Sequence, residues 1–422
     1  MTRRWLVRIG LGLLVLSIVG IGSWKMYTVR ELRHLEGRED DPNPVKAHSV
    51  AGIHVSLTAP IAFRRVIVDG KTLLNGRKPK VIIDPDGHGG VVGAQEGRKG
   101  FALYRPGRPP SIINTYSLGI GDEDAQAADL DGNGLPDIVV GGLDNATFVL
   151  YNPNRHRCPN VYHCIWARAV IDTTRASHDV VVGDVDRDGK ADVVTEAGVY
   201  FNRGRGHAWQ FSGRDVIPRD GEGTSLADVS GDGILDIVAP YRSGTIVALF
   251  ANPLHHGGDP AHDIWRTQII DPHPLFAGNM TTAVADINGD GRNDIVLAPM
   301  YGGGGLVWYQ HPKPGATVWV RHMIDPTINF VHQGSLQIAT FAKNDRPDIV
   351  YAEQDQSPTR RVGIFYNEAG NGTRWRSQVI STNGGHNIKV GLLGHARRLS
   401  IVSARHGYFG GENPLKAWEA LR

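Results

Sequence analysis

Four stretches of the chain place oxygen-bearing side chains on alternate positions: DLDGNGLPDIVV from residue 129, DVDRDGKADVVT from 184, DVSGDGILDIVA from 228 and DINGDGRNDIVL from 286. The side chains are Asp129, Asp131, Asn133 and Asp137, then Asp184, Asp186, Asp188 and Asp192. In the other two they are Asp228, Ser230, Asp232 and Asp236, then Asp286, Asn288, Asp290 and Asp294. Carboxylates this close repel one another unless a cation sits among them. A hard cation such as Ca²⁺ takes about six to eight oxygens, and alternate residues of a tight loop turn theirs inward. The glycine at the sixth position of each stretch (Gly134, Gly189, Gly233, Gly291) permits the sharp turn. One Asp-Gly turn is common in loops, but four in a single register point to calcium at about four sites. The loop at 184 has the most carboxylates and is expected to bind most tightly.

Such loops need strands on both sides, and the sequence supplies them. Weaker copies extend the series. TFAKNDRPDIVY (340–351) keeps Asp348 and loses the first acids, and LLGHARRLSIVS (392–403) keeps only the apolar strand. NGRKPKVII (75–83) reads as the same corner shortened to a hairpin, with Asn75-Gly76 as its turn signal. The residue before each apolar pair falls at 80, 137, 192, 236, 294, 348 and 400, which is seven units at a period of about 53. Each unit reads as four short strands, closing with patterns such as IWARAVID and DIWRTQIID. The expected fold is all-β, a seven-bladed β-propeller over 60–422. The last unit ends after three strands, and AFRRVIV (62–68) has the pattern of the missing fourth.

The loops would occupy one face, so the starts of the first strands and the ends of the second strands meet at the opposite mouth of the channel. The positions starting the first strands are Glu123, His178, Glu222, Met280, Gly334 and His386, with His332 just before Gly334. Asp179, Gln333 and Asn387 follow the histidines, and Glu196, Tyr241, Tyr301, Glu353 and His406 follow second strands. His178, His332 and His386 are candidate transition-metal ligands or a general base. Glu222 and Glu353 are candidates for proton transfer or ligation, and Tyr241 and Tyr301 for stacking on a sugar. Polar residues that simply hydrate a channel mouth are the plainer explanation of any one of them. His156, His255, His256 and His311 fall in loops and read as solvent-facing.

A net charge of +2 on 422 residues gives no field that would draw nucleic acid. Residues 1–24 combine Arg3, Arg4 and Arg8 with a following apolar run, the layout of a retained signal anchor or a cleaved signal peptide. Residues 25–59 read as a charged tether. Both placements put the body outside the cytoplasm, membrane-anchored or secreted. There the two cysteines, Cys158 and Cys164, are expected to pair, the rival being a metal site with His156 and His163.

The acidic loops followed by Ile-Val resemble the FG-GAP/VCBS-type repeats of integrin α-subunit propellers. More narrowly, HDVVVGDVDRDGKADVVTEAGVYF, GEGTSLADVSGDGILDIV, VHQGSLQIA and FYNEAGNGTRWRSQVISTNGGHNIKV are similar to the propeller domain of aldos-2-ulose dehydratases. That resemblance implies a metal-binding propeller acting on keto-sugars. The family's cupin-type domains have no counterpart in these residues. The expected function is therefore a carbohydrate-directed, calcium-binding propeller, as a carbon–oxygen lyase or as a non-catalytic module recognising glycan or envelope protein.

Overall fold

The computed structural model describes residues 61–421, except 70–78, 84–89, 95–100, 106–110, 115–121, 143–145, 154–157, 159–163, 219–221, 243–245, 273–278, 333, 342–345, 394–397 and 405–414. Its strands form seven four-stranded antiparallel sheets. Six are blades of consecutive strands. Blade 1 begins at Pro79–Ile83, blade 2 at Asp122–Ala128 and blade 3 at Val180–Gly183. Blade 4 begins at Ser225–Ala227, blade 5 at Met280–Ala285 and blade 6 at Leu336–Ala339. The remaining sheet is composite, its strands His386–Leu393, Arg398–Ala404 and Leu415–Ala420 completed by Phe63–Asp69. Phe63 pairs with Ala420 and Ile67 with Lys416. The innermost strands neighbour one another in a closed cycle, the composite sheet returning to blade 1.

The expectation of a seven-bladed propeller is corrected, and the transmembrane helix expected before it falls outside the described residues. Six blades are built from consecutive strands and the closing sheet is composite. Among the described residues the sole helix is the short 3-10 turn Pro253–His256, and none is long and apolar enough to cross a membrane. Residues 1–24 and 25–59, read as anchor and tether, lie outside the described residues. The first unit is also misread by one strand. Pro79–Ile83 is the innermost strand of blade 1 and pairs with Gly90–Ala94, so the corner falls at 84–89 and not at Asn75-Gly76. Asn-Gly is a turn signal, but it does not say which pair of strands it joins.

Middle strands are covered on both faces because each blade stacks between two others. In blade 2, Asp137–Gly142 and Ala146–Tyr151 are buried at every residue, which is why they read as unbroken apolar runs. The outer strand Ala167–Asp172 is partly exposed. Neighbouring blades share their cores: Val92, Leu103 and Ile113 of blade 1 pack with Ile138, Phe148 and Leu150 of blade 2.

Two polar devices recur between the apolar layers. The aspartate at the ninth position of each loop is buried and accepts backbone N–H groups on both oxygens in most blades. Asp137 accepts from Leu130 and Asn152, Asp192 from Val185 and Asn202, and Asp348 from Phe341 and Asn367. It thus fastens its loop to the end of the third strand. The asparagine that ends, or follows, that strand reaches the preceding blade. Asn202 Nδ2 donates to Leu130 O at 2.9 Å, Asn252 to Val185 O at 2.9 Å and Asn367 to Ile287 O at 2.7 Å. In blade 5, His311 takes that place, and Asn293 Nδ2 instead donates to Asp228 O. Asn202→Ala leaves the buried Leu130 carbonyl without this donor and is expected to destabilise the fold by about 1–3 kcal/mol. A urea midpoint equal to that of the unaltered protein would show that the latch is dispensable.

Candidate functional site

On the loop face, the first aspartate of each loop gathers the backbone of its own turn. Asp129 accepts from the amides of Gly132, Asn133 and Gly134, and Asp228 from Gly231, Asp232 and Gly233. Asp286 repeats this with Gly289, Asp290 and Gly291, and Asp184 accepts from Asp188 and Gly189. Gly134, Gly189, Gly233 and Gly291 have φ of 81, 83, 83 and 85°, the left-handed region their position requires.

The four loops then diverge. Ligating oxygens of Asp129, Asp131 and Asp137 lie within 4.8 Å of one another, as do those of Asp184, Asp186 and Asp188. Among the described residues no other three acidic, histidine or cysteine side chains gather in this way. The third loop is spanned by His255, whose Nδ1 lies 2.7 Å from Asp232 and whose Nε2 lies 2.8 Å from Asp236. In the fourth, the Arg292 guanidinium holds Asp290 at 2.7 Å. Asn133, Asn288 and Ser230 stay local: Asn133 and Asn288 accept backbone amides of their own turns, and Ser230 bonds Asp232. His255 is therefore not a solvent-facing loop histidine, and His311 is half-buried beside Trp319. Neither role leaves a local sequence signature.

Burial raises the carboxyl groups of Asp137 and Asp192 to about 7 and that of Asp294 to about 6, outweighing their amide bonds. A divalent cation would reverse this by favouring the ionised form. The all-oxygen donor sets at 129 and 184 fit calcium.

At the opposite end, His178 is held between two carboxylates. Its Nδ1 lies 3.1 Å from Glu196 Oε1 and its Nε2 3.6 Å from Glu222 Oε1. His332 and His386 stack on each other with ring centroids 4.2 Å apart. Asn387 is buried with φ 54°, and its N–H donates to Ser335 Oγ. Asp179, beside His178, accepts from the N–H groups of Gly223 and Thr224.

Glu353 is wholly buried and bonded by Arg361, Thr359 and the Asn329 amide, so it braces the 353–361 loop. Tyr241 packs edge-on against Phe250, with Arg242 over its ring. Tyr301 is 36% exposed. Gln333 and His406 lie outside the described residues. Cys158 and Cys164 form a disulfide.

Comparison with known families matches residues 129–195 to an FG-GAP-like repeat and residues 278–309 to an FG-GAP repeat. No curated protein matches the chain in sequence. Among solved structures, BBS1N in complex with ARL6DN is 13% identical over 85% of this chain and 98% of its own, with a TM-score of 0.51. An Agrocybe aegerita lectin that recognises non-reducing terminal N-acetylglucosamine is 15% identical over 79% and 92%, TM-score 0.48. YCF48 bound to D1 peptide is 12% identical over 88% and 98%, TM-score 0.49. The narrower likeness to aldos-2-ulose dehydratase gains no support from these matches. With its blades, acidic corners and matched repeats taken together, the chain is an all-β propeller carrying FG-GAP repeats.

Proposed function

We propose that the protein is a calcium-loaded binding propeller that takes a neutral carbohydrate at the histidine–glutamate mouth of its channel, outside the cytoplasm. The observation that carries this reading is His178 clamped between Glu196 and Glu222, at the same end as the His332–His386 stack. Carboxylates and imidazoles accept from and donate to sugar hydroxyls, and acidic walls disfavour acidic ligands. Binding is preferred to turnover because Glu353 is consumed by Arg361 and the three histidines form two separate groups. The disulfide supports an oxidising compartment.

Calorimetric titration of the calcium-saturated chain with neutral oligosaccharides, keto-sugars included, tests this. Saturable binding that weakens about tenfold or more in Glu222→Gln and His178→Ala, without product formation, is the expected result. Binding to no sugar, or binding indifferent to both substitutions, would remove the reading. Sugar turnover would restore the lyase alternative.

A further inference from the structure

Within the channel, the innermost strands of blades 2 to 6 and the composite sheet, with the residues leading into them, line a cavity of about 260 Å³. Asp124, Asp179, Thr224, Thr281 and Lys389 are among its lining residues. Lys389 Nζ pairs with Asp124 Oδ1 at 3.0 Å, both side chains being buried, so that pair is internally neutral. Asp179 is 2% exposed. Its Oδ2 accepts from the amides of Gly223 at 2.6 Å and Thr224 at 2.7 Å. Its Oδ1 is buried without a hydrogen-bond partner among the described residues. An ionised oxygen left this way is expensive.

We propose that the cavity is a site for one small monovalent cation, an organic ammonium or an alkali ion, held against Asp179 Oδ1 and the wall hydroxyls. Asp124 and Lys389 cancel, so the cavity's unmatched group is Asp179, whose carboxyl burial and the nearby Glu196 push up to about 8. A cation bound at Oδ1 would favour the ionised form, an anion would be repelled, and a single carboxylate oxygen is too few for a divalent ion. Threonine hydroxyls suit either source, as acceptors for N–H groups or as oxygen ligands. The cavity lies inside the channel, with Asp179 next in sequence to His178 of the mouth, so the cation is tested with no sugar present.

The test is the melting temperature of the calcium-saturated chain in a tetrabutylammonium buffer, titrated with ammonium, methylammonium, sodium or potassium chloride. Tetrabutylammonium has no N–H and is too bulky to enter. A saturable rise with ammonium compounds assigns the organic source, and one with sodium or potassium the alkali ion. In Asp179→Asn, whose amide oxygen can keep both backbone bonds, apparent affinity should fall about tenfold or more. Equal responses to all salts, no saturation, or an Asp179→Asn response matching the unaltered protein would overturn the proposal. If that variant does not fold, sodium-23 and nitrogen-15 ammonium NMR on the unaltered chain replaces it, and the absence of saturable line broadening counts as refutation.

Discussion

Asp192→Ala is expected to cost the fold about 2–6 kcal/mol, because two buried backbone N–H groups lose their acceptor at about 1–3 kcal/mol each. The groups are those of Val185 and Asn202, at 2.9 and 2.8 Å. Against a total stability of about 5–15 kcal/mol, this would leave a marginal protein or none. The decisive companion is Asp348→Ala. Its loop lacks acids at the first and third positions, yet Asp348 makes the same two backbone bonds. If the ninth-position aspartate acts as a fastener, both variants should lose comparable stability in urea titrations, and the Asp348 loss should be the same with and without chelator. A harmless Asp348→Ala would reduce the residue to a metal ligand where a metal is bound, and to nothing elsewhere.

Removing divalent cations is expected to produce the second large effect. A ligand bound only by the native state at about 100 times its Kd contributes about 2.7 kcal/mol per site. The loops at 129 and 184 have three acids gathered for this, although Lys190 and Arg203 pair with Asp188 and Asp186 in the second; in the other two, His255 and Arg292 hold acids and no such trio forms. A binding stoichiometry nearer two than four is therefore expected, with Asp129→Asn and Asp184→Asn each removing one site. The pH dependence has a definite sign. Asp137 and Asp192 are raised to about 7 by burial, so the folded state holds their protons more tightly than the unfolded state does. Stability of the cation-free protein should be greatest below about pH 4 as far as these groups are concerned, and fall as pH rises from about 4 to 7. Saturating calcium should flatten or reverse that fall. A chelated protein with an unchanged melting curve would end the metal assignment at both loops.

The corners were legible because a loop that gathers carboxylates must place them at fixed offsets, and the strand after each corner must be apolar to pack between blades. The closing strand at residues 63–69 was legible for the same reason, having the outer-strand pattern without neighbours in sequence to complete. Blade 1 was displaced because the segment after Ile83 keeps Asp84 and Asp86 but has Gly90, not aspartate, before its apolar pair Val91-Val92. What could not be read is what joins residues far apart. Asn202 and Leu130 are 72 positions apart, Asn252 and Val185 67, and Lys389 and Asp124 265. Glu353 looked like a free acid at the mouth, although Arg361 neutralises it from only eight positions away; that pairing depends on a loop folding back, which residue types do not announce.

The composite sheet has a consequence for biosynthesis. Arg64 meets Glu419 across a separation of 355 residues. At elongation rates of about 5–20 residues per second, the strand at 63–69 emerges about 18–70 s before its partner exists. Throughout that interval it offers an unpaired backbone edge to any nascent or neighbouring polypeptide, so ribosome-bound intermediates of this protein should depend on holdase protection that the finished ring no longer needs.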